Sequence, residues 1–540
     1  MIPFKRILPF LLFLAAAVIF AQGGLGCAPG EPEAVGDRVA MEEAVVKMAF
    51  LQEDAPTLDP HSVAGTPVSF NVIGSVFNKL VRFPPGTIDA TNIQGDLARE
   101  WAVSEDKLTW TFYLREGVGW HGDFGEVTAH DVQYSLERIL DPATGCDDRG
   151  LYTTIDRIEV EDDYTVHFHM NRPDSLLLTH LAYRFAVIVP RAAMEAYGED
   201  FPLNLVGSGP FIFDAYLPHE KVVLVANPDY FRGPPQVDRL EYHFMPDTFS
   251  RFEAFLAGEM DMIQGEPTAA AAEAIARAER EGLEIRYDAL GPANTWGLKL
   301  DTQQPPFDDL RVRQAIAYAL DIDEYTASVM DIPGSMEVPT AAGLVFLEDF
   351  FGGTADVKAY SYNPEKARDL LAEAEFPGGE GFSFSLHTID TFIQGPGLFI
   401  QAALADVGVD VELVTQDVST WLGTTIPEAV HPVQWWTLYM YPEPNRTYGL
   451  VYARDAARGN LVNYTGIADL LDEAAAAFDA EVREKLYHEI QKTLAEDCVY
   501  IPITGQKFTR LRHAYVDLGY EPLASFSEWY DLTENLALKK

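Results

Sequence analysis

The chain has 540 residues, length for about two to four domain-sized cores rather than one small module. Hydrophobic residues make up 48% and charged residues 23%, ordinary globular usage that excludes a disordered, collagen-like or coiled-coil chain. Lys and Arg number 39 against 83 Asp and Glu, a formal charge of -44, and such a surface repels phosphate backbones and excludes nucleic acid as a partner.

At the start, Lys5 and Arg6 precede an apolar run from Ile7 to Ala21, which gives way to the small, polar stretch Gln22 to Cys27. This is the layout of a secretory signal peptide. The run contains Pro9 and falls short of the roughly 18 to 20 residues that cross a bilayer, so a permanent membrane helix is not expected. Leu25-Gly26-Cys27 resembles a bacterial lipoprotein processing site, with Gly24 where a Leu is usual. That resemblance implies a signal peptide over 1–27, lipid carried on Cys27 as a membrane anchor, and a place in the periplasm or on the extracellular face; plain secretion is the alternative. Residues 28–45, acidic and rich in Pro and Gly, read as a flexible tether. The other two cysteines, Cys146 and Cys498, form either a disulfide or two buried thiols.

Along the body the alternation of Lys107 to Leu114 predicts a strand, and Val160 to Met170 a hairpin. Gly207, Gly209 and Pro210 predict a tight turn before a strand at Phe211 to Phe213. Asn227 to Tyr230 and Arg232 to Pro235 read as turns around an exposed aromatic pair. Val312, Ile316, Ala319 and Leu320 fall on one helix face, with Arg311 and Arg313 anchoring the helix start through Asp308 and Asp309. Asn363 and Pro364 supply an N-cap and first-turn Pro to a helix carrying Ala367, Leu370, Leu371 and Ala374. Two more helices are expected over about 467–478 and 480–495. Strands and helices interleave without strict regularity, which predicts α/β lobes with mixed sheets.

Catalytic patterns are absent. There is no G-x-x-x-x-G-K-[ST], G-x-G-x-x-G after a strand, H-E-x-x-H or C-x-x-C, and Gly207-Ser208-Gly209 lacks the spacers of a nucleophile elbow. His167 and His169 share a strand face, for which a polar face is a sufficient account. No enzyme activity, cofactor or metal is expected.

What rises above background is an ordered series of blocks. Gly95-Asp96-Leu97-Ala98-Arg99-Glu100-Trp101 is followed by Leu108 to Val118, Trp120-His121-Gly122-Asp123 and Thr128 to Glu137. Val206 to Phe211, Asn227 to Pro234, Gly258 to Asp261, Phe307 to Ile316 and Tyr362 to Ala367 continue the series, from Leu58-Asp59-Pro60-His61 to Ile501-Pro502-Ile503. This series resembles the extracellular solute-binding proteins of the dipeptide, oligopeptide and nickel type, the receptors of ABC importers. The resemblance implies a two-lobed, periplasmic-binding-protein-like (type II) architecture with a hinge and an extra subdomain in the N-terminal lobe. It maps 46–80, 175–290 and 503–540 to the first lobe, 81–174 to the extra subdomain and 291–502 to the second lobe. It also implies a peptide-like solute and ABC permease subunits as partners, with an oligosaccharide receptor as the alternative. A hydrolase or a surface interaction module on this architecture are readings of another class.

The segment Gln434 to Asn445 aligns with the family stretch ending in Tyr-Pro-Asp-Pro. In the peptide receptors an Asp just before that Tyr-Pro holds the ligand's ammonium; here the position is Met440, so Glu443 or another acid would have to replace it. Trp296, Trp421, Trp435, Trp436, Tyr439 and Tyr441 are candidate stacking platforms, although strand alternation sends Trp435 and Trp436 to opposite faces. Asn294, beside Thr295 and Trp296 at the expected first lobe crossing, is a candidate polar contact.

Overall fold

The computed structural model describes residues 43–540 apart from 56, 63–65, 266–268, 330–335, 338–350, 359, 390–393, 417–430, 440, 453–463, 523–531 and 540. The first described strand is Val45–Phe50, whose apolar side chains Val46, Met48 and Phe50 turn into the interior. It pairs in parallel with Arg239–Phe244 on one side and Met262–Gly265 on the other. Lys221–Ala226 and Phe211–Leu217 extend the first side antiparallel. Beyond Met262–Gly265 the sheet continues through Tyr500–His513 and Ile285–Leu300 to Val433–Tyr439, Ser383–Ile389 and Asp410–Gln416. The result among the described residues is one mixed sheet, with both parallel and antiparallel neighbours.

Two long antiparallel strands make the join. Ile285 to Leu290 lie against His513 to Phe508, next to Met262–Gly265, whereas Asn294 to Leu300 run between Tyr500 to Gln506 and the strand Val433–Tyr439. The register shifts between Leu290 and Asn294, a bulge that bends the ribbon where its neighbours change. Hydrophobic side chains gather separately on the two sides of this bend. Val46, Phe50, Phe112, Tyr242, Leu290 and Leu536 belong to one core, and Leu298, Val312, Leu386, Trp435, Tyr487 and Ile501 to another. The molecule is two-lobed.

A separate four-stranded antiparallel sheet, in the order Ala98–Val103, Thr109–Leu114, Thr165–Met170, Ile155–Asp162, is attached to the first core. Thr109–Leu114 alternates as expected, sending Trp110, Phe112 and Leu114 inward. The helix Ala129–Leu140 covers it with Val132, Leu136 and Ile139, and Thr128 and Asp131 cap its start, the Thr128 N–H donating to Asp131 Oδ2 at 3.0 Å.

The glycine-rich turn owes its composition to a close approach. A Cβ on Gly207 would sit 2.0 Å from the Val76 carbonyl oxygen at the end of the helix Pro67–Val76, and the Gly209 N–H donates to that same oxygen at 2.8 Å. His121 clamps the turn from the other side. Its Nδ1 accepts the Gly207 N–H at 3.3 Å, which leaves the ring proton on Nε2 to donate to the Gly209 carbonyl at 3.0 Å.

Two sequence expectations need correction. Tyr230 and Phe231 are not an exposed pair: Tyr230 is buried at 4% exposure and Phe231 packs on the first core, because Asn78 and Arg232 hydrogen-bond the Tyr230 hydroxyl inward. Arg311 does pair with Asp309 at 2.5 Å, but Arg313 donates to backbone carbonyls of Phe307, Asp308 and Asp497 instead of to acids. Cys146 and Cys498 are free thiols in different cores, and burial pushes their pKa up, to about 11 and about 12.

Candidate functional site: the contact between the lobes

The second core reaches the first at a small set of side chains. Pro444 opens the helix Pro444–Tyr452, and its first turn carries Arg446. On the opposite side Asp148 precedes the turn Arg149–Tyr152, whose Tyr152 belongs to the first core. Arg446 Nη2 donates to Asp148 Oδ1, and both side chains are buried, at 5% and 6% exposure. The Arg446 guanidinium also lies 4.3 Å from the ring centre of Tyr441 and 5.3 Å from that of Tyr183, the two rings being 6.2 Å apart. Burial opposes the Arg446 charge, but Asp148 outweighs it and holds the guanidinium pKa above its ordinary value.

Further contacts reinforce the join. The Ser175 N–H and hydroxyl both donate to the Ala475 carbonyl, at 3.0 and 2.9 Å, beside the end of the helix Ala468–Ala476. Phe478, which follows that helix, stacks on Trp110 at 6.0 Å and carries Lys107 Nζ 5.2 Å above its ring. His180 sits beneath, its pKa lowered by burial against the pull of Asp174.

The candidates drawn from the sequence distribute unevenly around this contact. Tyr441 belongs to it. Glu443 is fully buried just behind, where it accepts from Arg483 Nε at 3.2 Å and from the Tyr487 hydroxyl. Burial raises the Glu443 pKa, and Arg483 opposes that rise. Its charge thus already has a cation. Trp435 and Trp436 occupy opposite faces of the strand Val433–Tyr439 and are both buried, at 2% and 5% exposure. Half-buried Trp296 stacks on Trp435 at 6.1 Å, and Thr295 is buried with its carbonyl accepting from the Tyr500 hydroxyl at 2.6 Å. Lys299, on the Trp436 face, donates to Gln434 Oε1 at 2.9 Å, and burial pulls its pKa down to about 7. Asn294 and Tyr439 pair in register through their backbones, but their side chains lie outside the described residues, as do Trp421, Met440 and Cys27.

His167 and His169 are accounted for without a metal: their Nε2 atoms meet Glu161 at 2.7 Å and Glu159 at 3.0 Å. Among the described residues no group of three or more His, Cys, Asp or Glu is arranged to hold an ion. Sequence reasoning missed Asp148, Tyr183 and Arg446, an acid, an aromatic and a base that belong to no shared motif in the chain. The one available signal was that Arg446 directly follows the Gln434 to Asn445 segment.

Residues 92–457 match the bacterial extracellular solute-binding proteins, family 5. The chain belongs to this family. Its relatives include the dipeptide-binding protein of Escherichia coli strain K12, 28% identical over 454 residues, covering 77% of this chain and 81% of the relative. Among solved structures it is similar to the periplasmic binding protein DppA of Helicobacter pylori in complex with the peptide STSA, at 26% identity and a TM-score of 0.76, covering 92% of this chain and 98% of the other. It is likewise similar to MoaA of A. tumefaciens R10 in complex with mannopinic acid, at 28% identity and a TM-score of 0.76, covering 92% and 100%. This solute-binding protein thus has the two-lobed, hinged α/β fold with an extra subdomain on the first lobe. No helix of the described residues is long and apolar enough to cross a membrane.

Proposed function

We propose that this solute-binding protein is the receptor of an ABC importer, capturing a peptide-like solute between its lobes and presenting it to permease subunits. The observation that carries the mechanism is the Asp148–Arg446 pair. Two opposite charges, one attached to each core, are buried only where the lobes meet, so closure and desolvation of the pair are one event. No bond is made or broken; affinity comes from enclosing the solute, and the closed shape is what the permease reads.

The lobes divide as 46–80, 175–290 and 503–540 for the first, 81–174 for the extra subdomain and 291–502 for the second. The membership of the two cores supports the first crossing, Leu290 lying in one and Leu298 in the other, whereas Ile503 packs in the second core. The relatives that bind a dipeptide and the peptide STSA support a peptide-like ligand. An oligosaccharide is favoured only by Met440, and the burial of Trp435 and Trp436 removes two of its stacking platforms. Lipid on Cys27 would hold the receptor at the membrane outside the cytoplasm, with the expected tether ending before Val45, which already belongs to the strand Val45–Phe50.

A thermal-shift screen with short peptides, β-linked oligosaccharides and Ni²⁺ as separate panels tests the reading. A ligand specific to the folded state stabilises by about 2.7 kcal/mol at a hundred times its dissociation constant. A shift with peptides alone is expected. A shift only with sugars or Ni²⁺, or consumption of the peptide, overturns it.

A further inference from the structure

A histidine lies under the contact between the lobes, and its surroundings change when the lobes part. His180, on the first-lobe helix Leu177–Leu181, is 5% exposed, and its Nδ1 is buried without a hydrogen-bond partner among the described residues. Its ring stands 6.4 Å from that of Tyr152 and 5.8 Å from that of Tyr183, which packs on Tyr441 and Arg446 of the second lobe. A charged imidazole must donate from both nitrogens. In the closed contact Nδ1 has no acceptor to donate to.

The charges around the ring come from both sides of the contact. Asp174, whose carboxylate accepts from the Thr154 hydroxyl at 2.6 Å and the Leu176 N–H at 2.9 Å, favours a proton on His180, and so does Asp148. Tyr152 and Tyr183 stay neutral, since burial holds both hydroxyls well above their ordinary pKa. From the second lobe Arg446 opposes the proton, while Glu443, whose charge also meets that of Asp174, is paired with Arg483. Burial is the largest influence. With Arg446 it outweighs the two aspartates and the Leu151 carbonyl, and the closed contact keeps the ring below its ordinary pKa.

Opening changes three of these influences in one sense: Arg446 leaves with the second lobe, Asp148 loses the cation that neutralises it, and water reaches the ring. His180 is then the base left to meet the charge of Asp148.

We propose that closure is proton-linked at His180: the ring is charged in the open receptor, where it takes the place of Arg446 beside Asp148, and gives up that proton as the lobes close. The inference rests on the solute-receptor reading and adds a regulation to it, in which acid holds the receptor open and releases the solute. The sign is fixed by the two states. The open ring titrates near the ordinary value of about 6.5 and the closed ring lower, so affinity is steady well above that pH and falls as pH drops through it.

Calorimetric titration of the full chain with dialanine at pH 7.5 and pH 5.5 tests this, and the heat of binding at pH 6 in phosphate and in Bis-Tris counts the protons released. Binding weakens about tenfold from the higher pH to the lower, and most of one proton leaves per dialanine bound at pH 6. In His180→Gln both the weakening and the release disappear, whereas a merely structural role for the ring would lower affinity equally at the two pH values. Thermal unfolding at each pH shows that the variant is folded; His180→Asn takes its place if it is not, and the proton count on the parent chain needs no variant. Equal affinity of the parent chain at the two pH values, or a proton release that the variant retains, overturns the proton link and leaves the receptor standing. Dialanine silent at both pH values overturns the receptor reading and the proton link with it.

Discussion

Protonating His121 would turn its Nδ1 from an acceptor into a donor facing the Gly207 N–H, so the clamp on the glycine turn works only with a neutral ring. Burial pulls its pKa down to about 4, against the hydrogen bond to Gly209, and His61 is likewise pulled down to about 4. The sign follows directly. Above about pH 6.5 both states are neutral at these rings; as pH falls from 6.5 toward 4 the unfolded chain takes up protons that the folded chain refuses, so stability falls through that window. Each ring contributes a loss of about 3 kcal/mol by pH 4. Urea unfolding at pH 7 and pH 4.5 checks this, and the acid loss is smaller in His121→Gln. Glu443 obeys a different rule. Removing its cation with Arg483→Ala strands a buried carboxylate and costs about 3 to 5 kcal/mol, read from urea midpoints. Equal stability of that variant and the parent chain would contradict the buried pair.

Among the elements, those built on local periodicity were legible. The alternation over Thr109–Leu114, the hairpin of Ile155–Asp162 and Thr165–Met170, and the capped helix Pro364–Glu373, where Asn363 accepts the Lys366 N–H at 2.9 Å, all stand where their patterns put them. Gly207 was legible as a turn, but not its reason, which is an approach to Val76 across more than a hundred residues of chain. Adding a Cβ there costs about 3 kcal/mol in Gly207→Ala. Gly119→Ala, where nothing lies within 4 Å of the new Cβ, is close to neutral and serves as the control. Thermal unfolding of the two variants side by side decides the point. The burial of Tyr230 and the backbone contacts of Arg313 were not legible, since both depend on which distant groups fold against them. The same holds for the lobe contact: a pair of charges 298 positions apart leaves no spacing to read.

At the scale of the molecule, the two cores, the bulged pair of long strands and the buried ion pair form one device. The strands let the lobes move, and Asp148 with Arg446 marks where they meet. Asp148→Asn leaves Arg446 buried without its anion when the lobes close, so the closed form loses about 3 kcal/mol and affinity for solute falls roughly a hundredfold. Calorimetric titration of that variant with dialanine, against the parent chain, checks the figure. The most direct test of lobe closure is small-angle X-ray scattering of the full chain, alone and with a large excess of a dipeptide and tripeptide mixture. Closure on a peptide predicts a smaller radius of gyration with the mixture, and a weaker response from Asp148→Asn. Identical scattering with and without peptide, in a sample whose thermal stability the mixture does not change, would contradict it.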